Sequence, residues 1–310
     1  MSSVVDTAVT LNLWPHILTA HSHIGQALPP STRQAMMTLV DAHVAEPWHL
    51  FHFIYVVENF DSTSLSTANY QKRDPFDRPS EVDAFWQACL TTGFLQANSH
   101  GMMQITDKGE TVRQQRWQIL NDALAEQVLL PGAELAQLNE LLTRVVDETA
   151  VTTTKASAWA FHTRRQQGLK SPLSPLAPLA QFIELRMDLG AFRDDAHLAS
   201  WRGPHVVSPH AWEILGEIWQ NETATLDELV AKLARRGFSA GETAVALEEL
   251  FSLGWLRQAQ KNYHLTEDGR AVRQTAEQTT NDIFYAPWSV LSPAELEVVR
   301  TGLGAFQTMS

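Results

Sequence analysis

The stretch LEELFSLGWLRQAQKNYHLTEDGR, Leu247–Arg270, runs from the end of an apolar-striped helix through a Gly-aromatic-Leu step and two short segments around a polar turn. It closes on Thr-acid-x-Gly. An earlier stretch, FWQACLTTGFLQANSHGMMQITDKGE, Phe85–Glu110, follows the same order. Gly93 and Gly254 stand roughly 160 positions apart, as do Gly109 and Gly269, LPGAEL from Leu130 and LSPAEL from Leu291, and Ser64-Leu65 and Thr225-Leu226. A long, nearly constant period is the mark of an internal repeat, and the one-residue slip falls in a hairpin, where loops absorb it. The chain is therefore expected to hold two copies of one unit, residues 10–149 and 172–308, joined by an irregular connector at 150–171.

A chain of 310 residues is long enough for two domains with separate cores. Hydrophobic content of 44% and charged content of 19% are globular values. No apolar run has the length of a membrane span. The N-terminal MSSVVDTAVTLNLWPHIL has no basic segment ahead of an apolar one, and the single cysteine, Cys89, excludes an internal disulfide framework. A cytoplasmic protein is expected. The net charge of −12 opposes indiscriminate binding to nucleic acid or anionic lipid. That excess lies outside the two motif-bearing regions, since Ser62–Arg116 and Thr225–Arg273 each carry equal numbers of basic and acidic side chains.

In the second copy, SPHAWEILGEIWQN places Trp212, Leu215 and Trp219 at helical spacing behind Pro209. Thr225 and Glu228 have capping-box spacing ahead of the stripe Leu226, Leu229, Val230 and Leu233, and Gly237 ends that helix. A third helix is expected from Ser239, then two strands, then a long helix from Glu267. The first copy gives the same order through EPWHLFHFIYVVENF, STSLSTANYQKRD, PSEVDAFWQACL and GFLQANSHGMMQIT, with Asp107 opening the next helix. The aromatic stripes predict packed core.

Three helices closed by a two-stranded wing ending in L-T-x-x-G resemble the winged-helix proteins of the MarR type, in which a terminal L-S-x-x-E-L helix helps to form the dimer interface. LTEDGR and LSPAEL match those motifs, and ITDKGE with LPGAEL matches less closely. The resemblance implies a mainly α fold with small β-hairpin wings. Its two winged-helix repeats would share a helical stalk built from Asn12–Gln26, Glu134–Glu148, Leu176–Leu189 and Ala294–Phe306. Such a chain would be a pseudo-dimer able to work as a monomer, without the entropic cost of association.

The resemblance further implies a transcriptional regulator that binds double-stranded DNA, with the third helix in the major groove and the wing in the minor groove. Ser80, Asp83, Ala84 and Gln87, and Ser239, Glu242, Thr243 and Ala246, map to the reading faces. Arg78, Arg235, Arg236, Arg257 and Lys261 map to phosphate contacts. The wing positions where DNA-binding relatives carry Asp-x-Arg hold NSHG and QAQKN here, and Glu242, Glu248 and Glu249 place carboxylates beside the second reading helix. The rival reading is a winged-helix scaffold that binds a protein or ligand without DNA. The family often holds aromatic effectors between stalk and wing domains, and Trp14, Trp48, Trp159, Trp201 and Trp288 are the candidates to line such a pocket.

Other chemistry is weakly signalled. His16, His21, His23, His43, His49 and His52 are close in sequence but lack a HExxH motif or a cysteine cluster, so no metal or other cofactor is expected. FRDDAHLASWR, Phe192–Arg202, could hold an acid/base pair, yet its arginines beside Asp194 and Asp195 more simply make ion pairs orienting the stalk. Cys89, with no nearby Lys or Arg, reads as a buried small hydrophobe. No enzyme is expected.

Overall fold

The computed structural model describes residues 12–41, 43, 47–168, 175–202 and 206–306, with the backbone alone at 41, 47–49 and 168. In chain order the first run comprises α1 (Leu13–Ala27), α2 (Pro30–Asp41), α3 (Pro47–Asn59), α4 (Thr67–Arg73), α5 (Pro79–Thr91), the hairpin β1 (Leu95–Ala97) and β2 (Met103–Ile105), α6 (Asp107–Ala125) and α7 (Gly132–Thr152). After α8 (Trp159–Gly168) and α9 (Pro178–Arg202) come α10 (Pro209–Asn221), α11 (Leu226–Lys232), a 3-10 turn at Ala234–Arg236, and α12 (Ala240–Ser252). The hairpin β3 (Leu256–Ala259) and β4 (Asn262–Leu265), α13 (Glu267–Tyr285), a 3-10 segment at Ala286–Val290 and α14 (Pro293–Ala305) complete it. The described chain is mainly helical, with two small antiparallel hairpins.

Hydroxyl side chains set the helix starts. Thr225, Ser239 and Ser292 each accept from the backbone N–H three residues on, while Glu228, Glu242 and Glu295 reach back to the cap N–H. These reciprocal bonds satisfy donors that a helix leaves open at its N-terminus. Gly237, at φ +78°, turns the chain between α11 and α12 in the left-handed region that other residues avoid.

The two hairpins close by the same local bonds. Thr106 Oγ1 donates to Gly93 O at 2.7 Å and accepts from Gly109 N at 3.1 Å; Thr266 Oγ1 donates to Gly254 O at 2.7 Å and accepts from Gly269 N at 3.0 Å. A third strand-like bridge joins each hairpin, Leu65 to Met103 in the first and Ala224 to Tyr263 in the second. The Thr-x-x-Gly motif is thus a lock between hairpin and following helix. Its hydroxyl ties the two together, and its glycine lets a carbonyl come close.

By contacts the chain divides into two compact units. One is Met1–Leu65, Ala88–Asp195 and Asp282–Ser310; the other is Ser66–Gln87 with Ala196–Asn281. This division cuts across the sequence boundaries 10–149, 150–171 and 172–308, because the α4–turn–α5 segment packs with the second run. In the first unit α14 packs on α1 and α7. Trp14 N donates to the Tyr285 hydroxyl at 3.0 Å, Asn139 Nδ2 to Pro178 O at 2.8 Å, and Arg144 pairs with Glu295. The expected stalk segments are all helical, but α9 does not stop at Leu189. FRDDAHLASWR continues it to Arg202 and contains no proline or glycine to end the helix.

The core of the second unit gathers Trp201, Trp212, Leu215, Ile218, Leu229, Leu233, Leu247 and Leu250 under both strands. Arg273 lies buried between the Trp212 and Trp219 rings, 5.0 and 5.3 Å from their centroids, and burial lowers its pKa from the usual arginine value.

A Cβ at Gly269 would sit 2.2 Å from the Trp255 carbonyl oxygen, whereas one at Gly216 meets only the Arg273 guanidinium at 4.0 Å. Gly269→Ala should therefore cost about 1–3 kcal/mol in urea denaturation, and Gly216→Ala, in mid-helix, should gain about 0.5–1 kcal/mol. Equal stability of the two variants would contradict the lock.

Candidate nucleic-acid interface

Two helix–turn–helix segments meet in the second unit, α4–turn–α5 as far as Gln87 and α11–turn–α12. They are joined turn to turn. Arg236, 6% exposed, ends the second turn and enters a cluster of carboxylates. Its Nε donates to Glu213 at 2.9 Å, and its Nη1 donates to Asp74 at 2.9 Å and to Asp77 at 2.8 Å. Its Cζ lies 5.5 Å from the Phe76 ring centroid. Asp77 also accepts from the Tyr70 hydroxyl at 2.6 Å. Burial raises the Glu213 pKa above the usual carboxylate range, against the opposing pull of Arg236.

Around this cluster the contact widens. Arg78 N donates to Arg236 O at 2.9 Å, and the Arg78 side chain pairs with Glu242 at 3.1 Å. Phe76 packs on Trp201, 5.6 Å between centroids. Arg202, the last residue of α9, donates to the Gln71 and Lys72 carbonyls at 2.8 and 3.0 Å and so caps the C-terminal end of α4. Asp74, Asp77 and Glu213 carry no motif in the sequence, and only the tertiary contact with Arg236 marks them.

On α5, Ser80, Asp83, Ala84 and Gln87 are exposed, while Val82, Phe85, Trp86 and Cys89 are buried. The face of α12 is corrected. Thr243, 1% exposed, meets His210 Nε2 at 3.2 Å, and it shares the buried stripe with Ala246, Leu247 and Leu250. Val245, 71% exposed, and Glu248 occupy the outer face instead, with Ser239 exposed at the cap. A polar Thr243 misled the sequence reading because its hydroxyl is satisfied internally.

Of the expected phosphate contacts, Arg235, Arg257 and Lys261 are exposed, Arg78 is half-buried in its ion pair, and Arg236 is committed to the cluster. The carboxylates that threatened repulsion are mostly engaged. Glu242 binds the Ser239 cap and Arg78, its pKa held down by the Ser239 hydrogen bonds, and Glu249 accepts from Ser208 N at 2.7 Å and from its hydroxyl. Glu248 remains exposed.

A family profile described as "Helix-turn-helix family" matches residues 81–309. The chain belongs to this helix-turn-helix family. No curated protein and no solved structure matches it. The matched region holds the complete α11–turn–α12 segment and α5 from Glu81 onward, and leaves α4 outside.

The aromatic candidates of this helix-turn-helix protein do not form one group. Trp14 stands edge-on to Phe284 at 5.4 Å, between Arg186 and Arg193; Trp288 is buried 6.0 Å from the same Phe284. Trp159 packs near Phe60 at 6.1 Å. Trp201 stacks on Trp212 at 6.3 Å and borders an open cleft of about 360 Å³ with Arg202, Val207, Ser208 and Glu249. The Trp48 and His49 side chains lie outside the described residues. Asp195, weighed as an acid/base or ion-pair residue, accepts from Ala160 N and Phe161 N, both at 2.9 Å, at the start of α8. Burial pushes the Cys89 thiol up to about 12. Among the described residues no group of three or more His, Cys, Asp or Glu side chains could hold a metal, and no helix is long and apolar enough to cross a membrane.

Two adjacent arginines should respond very differently to truncation. Arg236→Ala leaves three half-buried carboxylates without their cation and should lower unfolding free energy by about 3 kcal/mol. Arg235→Ala, at an exposed site, should stay within about 0.5 kcal/mol. Guanidinium titrations that place both variants together would refute the cluster.

Proposed function

We propose that this chain is a MarR-like DNA-binding transcriptional regulator. Two winged-helix repeats are fused in tandem as a pseudo-dimer that works as a monomer in the cytoplasm, and a small aromatic effector sets its DNA affinity. The observation that carries the reading is the second repeat's division of charge. Arg235 beside the turn and Arg257 and Lys261 on the hairpin face solvent, while Glu242 and Glu249 are drawn into hydrogen bonds within the fold. A helix, its preceding turn and a hairpin bearing exposed cations supply phosphate contacts at the positions where a winged helix meets DNA. The recurring Thr–Gly lock and hairpin bridge support the repeat, and membership of a helix-turn-helix family supports the partner. The protein is read as a regulator and not an enzyme.

The scaffold reading keeps one specific point in its favour: the outer faces of α5 and α12 carry Glu81, Asp83 and Glu248. A single experiment separates the two. Arg235→Ala, Arg257→Ala and Lys261→Ala should each weaken binding to all duplex sequences in a gel-shift and lower the salt slope by about one. Binding with an unaltered slope would remove these residues from the interface, and no binding at low salt would leave the scaffold.

A further inference from the structure

We propose that the two helix-turn-helix segments latch each other in a closed state that excludes DNA, and that Arg236 is the latch. The inference rests on the DNA-binding reading above and adds a regulatory contact to it. In helix-turn-helix docking the N-terminal residues of the reading helix approach the base edges. Those are the residues engaged here. Arg78, immediately before α5, donates through its backbone to Arg236 O and through its side chain to Glu242 in the first turn of α12. The reverse contact completes the pair: a Cβ on Gly237, just before α12, would lie 2.0 Å from Glu81 Cγ in the first turn of α5. The starts of the two helices therefore face each other.

The geometry also fixes spacing. Each helix has 13 residues and is roughly 20 Å long at the α-helical rise. With their first turns in contact, the midpoints fall short of the roughly 34 Å that separates successive major-groove faces. Two-groove reading by α5 and α12 thus requires the turns to part.

Arg236 determines whether they do. It is the only side chain that bonds Asp74 and Asp77 of the first turn together with Glu213 of α10 among the described ion pairs. It also ends the turn leading into α12, where a guanidinium can serve phosphate. Duplex phosphates and the Asp74–Asp77 pair compete for one group, so the side chain that holds the closed state becomes a DNA contact once released.

The test locks and releases one protein. In a Cys89→Ser background, Arg78→Cys and Glu242→Cys are bridged by a short bis-methanethiosulfonate linker, and gel-shifts against pooled genomic fragments are run before and after reductant. Bridging should reduce affinity at least tenfold, and reduction should restore it. Asp74→Asn with Asp77→Asn, unbridged, should raise affinity by roughly an order of magnitude, as expected for weakening charge-assisted hydrogen bonds. Equal binding by the bridged and reduced forms would overturn the latch and leave the DNA-binding reading intact. Absence of binding in every form, including the Asn variant, would overturn both.

Discussion

One buried guanidinium organises the second unit. Arg236 presents its fork to Glu213, Asp74 and Asp77, and its Cζ lies over the Phe76 ring. Desolvating such a group costs several kcal/mol unless its donors are met with good geometry. Here the partners come from α10 and from a turn that lies far away in sequence. Satisfying the charge therefore fixes where the α4–α5 segment sits on α11 and α12. Net stability is a poor description of what such a cluster gives, since hydrophobic replacement often serves as well; placement is the better one. Arg202 on the α4 carbonyls and Phe76 on Trp201 follow from that placement.

Much of the local architecture was legible. Capping boxes at Thr225 and Ser239, the left-handed Gly237 and the Thr-x-x-Gly locks depend on residues within a few positions of one another, so sequence spacing carries the geometry. The environment of Arg236 was not. Arg235-Arg236 reads as a uniform basic pair, and only tertiary contact sends one side chain to solvent and the other to three carboxylates. The face of α12 was misread for a similar reason. Thr243 looks like a surface residue until His210 supplies its buried partner. Burial also holds that imidazole down to about 4, which keeps it neutral in the interior.

The electrostatics of the candidate interface follow from the same distinction between paired and unpaired charge. A net charge of −12 would predict repulsion from a polyanion if every carboxylate counted equally. Glu242 and Glu249 spend their lone pairs on Ser239, Arg78 and Ser208, while Arg235, Arg257 and Lys261 stay exposed. The field near the second turn and hairpin is set by where the fold places each charge and which of them it pairs, and composition alone does not report that.

The pairing of the two turns is tested most directly by a double-mutant cycle between Arg236 and Asp74, residues that no local element joins. Unfolding free energies of Arg236→Ala, Asp74→Ala and the double variant should show a coupling of about 1–3 kcal/mol. Additivity within about 0.5 kcal/mol would mean that the two side chains do not meet in solution, and the arrangement built on their contact would fall.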